Sequence, residues 1–162
     1  MQNDVQRQMT MIDAVFDTVA LLQAATNQNG PAGACLSFVD AGQVRLYVSD
    51  YLLAEIAEVL QTPAIRKAFP TLTDELVSEF LLQLTEKGQL LANVPIQFRY
   101  PRDPNDEPII NLAIVANAAF LVSRDKDLLG LMQDTTFRST YPKLQIVDPV
   151  SFCGTVRARP AG

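Results

Sequence analysis

Apolar and polar positions along this chain switch repeatedly between a short alternating period and a helical one. Residues 12–16 form a short, mostly apolar run that ends at Asp17, the pattern of a buried strand. A helical stretch over residues 19–26 follows and is stopped by Asn27, Asn29, Gly30 and Pro31. A second helix, 32–40, closes at Gly42, and residues 44–48 alternate β-branched and aromatic side chains as a strand does. Ser49 or Asp50 can cap the next helix, 51–60, whose Leu52, Leu53, Ile56, Val59 and Leu60 make one apolar stripe. Residues 63–69 read as a short helical piece ended by Pro70. Thr71 and Asp74 resemble a capping box, opening a helix over 74–87 that Gly88 terminates.

The second half continues the alternation. Residues 90–94 predict a third strand, and 99–108, with three Pro, two Asp and one Glu, a loop. A helix over 108–117, a strand over 120–123, a short helix over 128–132 and a fifth strand over 144–147 complete the order. Strands alternating with helices imply a parallel sheet covered on both faces. The expected architecture is α/β: a single-domain three-layer α/β/α sandwich with a mostly parallel central sheet. It spans residues 10–152, with a flexible extension at 1–9 and a loose C-terminal tail at 153–162.

Composition narrows the chemistry. Apolar residues make up 48% and charged residues 19% of the 162 positions, which is ordinary for a globular domain. The net charge of −5 leaves no broad basic stripe, so contact with a polyanion must be local or bridged by cations. The chain has no histidine, which excludes histidine-based nucleophilic catalysis and any histidine-ligated metal. Its two cysteines, Cys35 and Cys153, cannot form a four-thiolate zinc site. The polar N-terminus lacks the apolar core of a signal peptide, and the stretch 112–122 is about half the roughly 20 residues of a membrane span. The default expectation is a reducing cytoplasm.

Chemistry therefore rests on the eighteen acidic residues. In open parallel sheets, sites form beyond the carboxyl ends of the strands. Asp17 ends the first strand, and the fourth is followed at once by Arg124-Asp125-Lys126-Asp127. Pro108 suits the first helical position, so Asp106 and Glu107 lie at that helix's N-terminus. Its short connection to the fourth strand makes the two antiparallel and brings Asp106 toward Asp125. With Leu52 at zero on a wheel of about 100° per residue, Glu55 falls roughly 100° from the centre of the apolar stripe, while Glu58 falls on the far side. Glu55 thus borders the buried face. Four carboxylates on one edge repel one another unless protonated or bridged by a hard cation, and Mg²⁺ or Mn²⁺ suits oxygen-only ligands. Such an ion can clamp a phosphate and activate water, the chemistry of phosphodiester hydrolysis.

The run Asp103-Pro104-Asn105-Asp106-Glu107-Pro108, then Asn111-Leu112-Ala113, then Ala119-Phe120-Leu121-Val122-Ser123-Arg124-Asp125-Lys126-Asp127-Leu128-Leu129, resembles the PIN domain. It is most similar to the VapC-like ribonuclease branch, the toxins of toxin–antitoxin systems. Tyr51-Leu52-Leu53-Ala54-Glu55-Ile56 resembles the helix carrying that family's second acid, and Phe16-Asp17-Thr18 its first strand end. The resemblance implies an endoribonuclease using Mg²⁺ or Mn²⁺ held by Asp17, Glu55, Asp106 and Asp125, with Asp127 nearby. Glu107 is the alternative to Asp106 if the alignment shifts by one. Ser123 and Thr18 are implied as supporting residues that orient a carboxylate or a water. After Asp-Thr the family commonly carries Asn, where this chain has Val19.

Partners follow from the same resemblance: an RNA substrate, a small antitoxin protein and a homodimer built on the helix 74–87 through Leu76, Val77, Phe80 and Leu81. Arg124 and Lys126 flank Asp125 and are the candidate RNA contacts. Arg66-Lys67 and Arg99 with Arg102 read as solvated surface charge. Phe38, Tyr47 and Tyr51 read as core residues, and Cys35 as a packing residue on an apolar helix face. Two other readings compete with the nuclease: a catalytically degenerate PIN domain that binds RNA or protein, motivated by Val19, and a small aspartate-dependent phosphatase.

Overall fold

The computed structural model describes residues 11–159; the expected extension at 1–9 and the last three residues lie outside them. Strand β1 (Ile12–Phe16) leads into α1 (Thr18–Thr26) and α2 (Pro31–Asp40). Gly42, with φ of +76°, makes the left-handed turn into β2 (Val44–Ser49), a conformation that glycine adopts without strain. Three helices follow: α3 (Asp50–Gln61), α4 (Pro63–Ala68) and α5 (Asp74–Lys87). Then come β3 (Gln89–Leu91), a 3₁₀ turn (Pro104–Asp106), α6 (Glu107–Val115) and β4 (Phe120–Val122). The chain ends with α7 (Lys126–Gly130), a 3₁₀ turn (Leu131–Gln133), α8 (Thr135–Thr140), β5 (Gln145–Val147) and α9 (Pro149–Ala158).

The five strands form one sheet in the order β3-β2-β1-β4-β5, every neighbouring pair parallel. Helices cover both sides, so the expected α/β/α sandwich is borne out. Its central strands carry residues buried on both faces: Ala14, Val15 and Phe16 in β1, Leu121 and Val122 in β4. β1 and β4 are in register, with Phe16 opposite Val122, so the residues after each emerge side by side. That register positions the site.

Several expectations are corrected. α9 occupies residues where a loose tail was expected from 153 onward. Asp148 caps it by accepting from the Ser151 N–H at 2.7 Å, and Pro149 occupies its first turn. Phe152 on α9 is fully buried and meets Phe16 and Phe120 edge-to-face, at centroid distances of 5.8 and 5.5 Å. Cys153 lies 3.5 Å from Cys35 through their sulfurs, which joins α9 to α2 as packing. The apolar content of 149–158 is spaced for one helix face, but Gly154 and Arg157 obscure it. α8 was also not expected: only Phe137 of its six residues is buried. Strand β3 is shorter than the expected 90–94 because it forms the sheet's edge and pairs only with β2.

The dimer face expected on α5 is corrected as well. Val77, Phe80 and Leu84 turn into the chain's own core, leaving Leu76 and Leu82 exposed. Tyr51, expected in the core, is more than half exposed, whereas Phe38 and Tyr47 do pack against it.

Replacing Phe152 tests whether α9 belongs to the domain. Phe152→Ala removes a buried ring contacting two strands and is expected to cost about 3–5 kcal/mol in urea unfolding. A loss below about 1 kcal/mol would mean that α9 is dispensable to the core.

Candidate metal centre at the carboxyl edge of the sheet

Asp17 is the first residue beyond β1. Its N–H donates to the Val122 carbonyl at 3.1 Å, extending the β1–β4 pairing. Its Oδ1 accepts from the Ala20 N–H at 2.8 Å and so caps α1. Only 6% of Asp17 is exposed. Ser123, the first residue beyond β4, is fully buried. Its Oγ accepts from the Asp125 N–H at 2.9 Å and donates to the Asp17 carboxylate. One hydroxyl thus ties together acids from adjacent strands. Asp125 in turn caps α7, its Oδ1 accepting from the N–H groups of Asp127 and Leu128.

The other two acids arrive from helices. Ser49 ends β2 and caps α3 by accepting from the Leu52 N–H at 3.0 Å. Glu55 then lies one turn into α3, half-buried, while Glu58 is exposed, as the wheel requires. Asp106 closes the 3₁₀ turn before α6, and Asn117, at φ 53°, makes the tight return from α6 toward β4. Asp17, Glu55, Asp106 and Asp125 consequently line one pocket of about 130 Å³, together with Thr18, Val19, Tyr51 and Asn105.

Not every expected acid joins them. Glu107 is buried away from the pocket: its Oε2 accepts from the Tyr100 N–H at 2.7 Å, and its Oε1 lies 3.5 Å from Arg99. A one-residue step along a helix turns a side chain by about 100°, so Asp106 and Glu107 cannot both face the pocket. Asp127 pairs with Arg102 at 3.1 Å and does not line the pocket. Arg124 and Lys126 are exposed and make no ion pair among the described residues.

An unexpected acid does approach. Carboxylate oxygens of Asp103, Asp106 and Asp125 lie within 4.8 Å of one another. Asp103 is held by a turn in which its Oδ1 accepts from the Asn105 N–H at 3.2 Å. The segment before it is pinned by Asn111 of α6. The Asn111 Oδ1 accepts from the N–H groups of Gln97 and Phe98 at 2.7 and 2.9 Å. Its Nδ2 donates to the Phe98 and Glu107 carbonyls at 2.9 and 2.8 Å. This amide is fully buried with its hydrogen-bonding capacity filled, which explains a polar residue inside an apolar helix. An Asn among Ile110, Leu112 and Ala113 was the sequence signal for this clamp. Asp103 opens the Asp103-Pro104-Asn105-Asp106 run that resembles the family, but in a loop with no period nothing marked its side chain as a ligand.

Crowding shows in the electrostatics. Burial, then the charges of Asp125 and Asp103, push the Asp106 carboxyl up to about 7. Asp17 is also raised, chiefly by burial and further by Asp125 and Glu55, against the lowering effect of the Ser123 and Ala20 hydrogen bonds. The Oδ2 of Asp106 is buried without a hydrogen-bond partner among the described residues. An orphaned carboxylate oxygen within an all-oxygen cluster fits a hard divalent cation, with no nitrogen or sulfur donor to favour a softer one.

Comparison with known families matches residues 13–127 to the PIN domain. The chain belongs to the PIN domain family. PIN domains are generally nucleases, and the matched span contains all four pocket acids. The chain is also similar to an uncharacterized protein of Methanocaldococcus jannaschii, 28% identical over 126 residues that cover 78% of this chain and 79% of the relative. Strand β5 and helix α9 lie beyond the PIN match.

Metal-free stability should depend on pH through Asp106. Between its ordinary value of 3.8 and about 7, the folded chain holds a proton here that the unfolded chain has released. Stability therefore falls as pH rises through that window. Thermal unfolding in EDTA should show wild type losing more Tm than Asp106→Asn between pH 4.5 and 7, and Mn²⁺ should recover the loss at pH 7. Parallel profiles for the two proteins would contradict the assignment.

Proposed function

We propose that this PIN domain is a metal-dependent endoribonuclease that cleaves RNA phosphodiester bonds, and that it is the toxin component of a toxin–antitoxin pair restrained by a small antitoxin protein. The observation that carries the reading is the convergence of Asp17, Glu55, Asp106 and Asp125 on one pocket. Asp17, Asp106 and Asp125, joined by Asp103, would hold the cation, Mg²⁺ or Mn²⁺, with Glu55 on the facing wall. A bound divalent cation there supplies Lewis-acid polarisation of a phosphoryl oxygen and a water of lowered pKa.

The chain's own residues do the rest. Ser123 orients Asp17 and anchors the Asp125 backbone, the outer hydrogen bonding that fixes ligand direction. Glu55 accepts hydrogen bonds from water on the α3 side of the pocket. Arg124 and Lys126, exposed beside Asp125, meet the phosphates flanking the cleaved bond and supply positive charge locally to an acidic protein. Glu107 and Asp127 serve the scaffold instead, through Tyr100, Arg99 and Arg102.

Val19 supports a second reading, a binding module without turnover. It lines the pocket and is 48% exposed, so the position that follows Asp17-Thr18 offers no polar atom. Saturable Mn²⁺ binding with no hydrolysis would favour that reading.

Outer hydrogen-bond partners of metal ligands are worth roughly 10–100-fold in activity. Ser123→Ala should therefore lose about 10–100-fold of Mn²⁺-stimulated cleavage of single-stranded RNA, and Asp17→Asn or Asp125→Asn more than about 100-fold. Induced expression of the wild type should arrest growth, and expression of Asp125→Asn should not. Undiminished cleavage by either Asn variant would overturn the proposal.

A further inference from the structure

We infer that Cys35 and Cys153 form a cross-linking site, which a small-molecule disulfide oxidant converts into an intramolecular disulfide stapling α9 to α2. The inference is independent of what the acidic pocket does. Its first support is proximity. The two sulfurs lie 3.5 Å apart, and the residues are buried, at 1% and 4% exposure. A disulfide needs about 2.05 Å between sulfurs, so closure asks for roughly 1.5 Å shared between two unbranched side chains. Among the described residues no third metal-ligating side chain joins the pair, so its chemistry is that of two thiols and not of a metal site.

The second support is how the thiols are held. Each cysteine stands four residues after the proline that opens its helix, Pro31 in α2 and Pro149 in α9. The Cys35 thiol donates to the Pro149 carbonyl at 3.4 Å, and the Cys153 thiol to the Pro31 carbonyl at 3.5 Å. These reciprocal bonds aim each sulfur at the opposite helix. One turn further along both helices, Arg157 lies over the Phe38 ring at 5.8 Å, a second tie between the same two elements. The helices are therefore already together before any covalent bond forms.

The exchange balances with oxidised glutathione as the oxidant. The Cys153 thiolate attacks one glutathione sulfur, forming a mixed disulfide and releasing one glutathione thiolate. Cys35 then displaces the second glutathione and closes the Cys35–Cys153 bond. Two protein thiols are oxidised, one glutathione disulfide is reduced, and each proton lost by the protein is taken up by a departing glutathione. Cys153 attacks first because it is the more exposed, and because burial, the Cys153 hydrogen bond and the Cys153 charge together raise the Cys35 thiol above its ordinary value. Capping Cys153 removes the last two of these and leaves Cys35 as the resolving thiol. Since both sulfurs are buried, the oxidant reaches them when α9 loosens. The cross-link joins residues 118 positions apart, so it constrains most of the unfolded chain. It also pins a helix that lies beyond the PIN match and whose Phe152 packs on Phe16 and Phe120.

The test uses the full chain, purified under reductant and incubated with oxidised glutathione at a urea concentration just below the unfolding transition. After return to buffer, the intact mass should be lower by two hydrogens, and thiol titration in denaturant should find neither cysteine free. A peptide map should join the peptides that carry Cys35 and Cys153. The oxidised chain should melt about 5–15 °C above the reduced one, and dithiothreitol should reverse the shift. Cys35→Ala should instead trap a glutathione adduct on Cys153, with no rise in Tm. Two unreacted thiols, a persistent glutathione adduct on the wild type, disulfide-linked dimers, or a cross-linked chain that melts no higher than the reduced one overturns the inference. If Cys35→Ala fails to fold, the wild-type mass, thiol count and Tm decide alone.

Discussion

Repulsion among carboxylates is the constraint around which this domain is organised. Five parallel strands end at one edge, and the chain places Asp17 and Asp125 just beyond two neighbouring strands and brings Asp106 and Glu55 over them from helices. Burial, reinforced by the charges of neighbouring acids, raises the Asp17 and Asp106 carboxyls, so the metal-free fold holds these groups at a cost in their charged form. The hydrogen bonds that offset this are local and specific: an N-cap to Ala20, an N-cap to Asp127 and Leu128, and the Ser123 hydroxyl between two acids. Asp17 and Asp125 are thus each fixed by the same bonds that start the helix that follows.

The rest of the fold serves that edge at a distance. The Phe16–Phe152–Phe120 contacts lock α9 under β1 and β4, whose register sets Asp17 beside Ser123. On the other side, the Asn111 amide and the Glu107 carboxylate tie the segment 97–100 to α6, and Phe98 packs edge-to-face on Phe137 at 5.1 Å. That segment delivers Asp103. Residues that never touch the pocket therefore determine how closely its acids approach.

How much of this was legible depended on whether a residue belonged to a periodic element. Asp17 and Asp125 stood out because an acid directly after an apolar strand run has few roles in a core. Glu55 was separable from Glu58 because the α3 stripe is long enough to define a wheel. The choice between Asp106 and Glu107 was not legible, since both precede a helix and only the turn's dihedral angles decide which faces in. Asp103 and α8 were hidden for a related reason: loop geometry and a six-residue helix with one buried side chain leave no period. Tyr51 was misread because aromatic content predicts burial on average, whereas this residue lines the pocket and is more than half exposed. Tail residues 153–158 were misread because Gly154 and Arg157 mask a helix face made by Phe152, Cys153 and Val156.

The central claim is that these acids form one cation site, and its most direct test is anomalous scattering from crystals grown with Mn²⁺. The account predicts a Mn²⁺ peak bonded to carboxylate oxygens of Asp17, Asp106 and Asp125, lost in Asp125→Asn. A fully occupied peak elsewhere, or none at saturating Mn²⁺ with the four side chains turned apart, would contradict it.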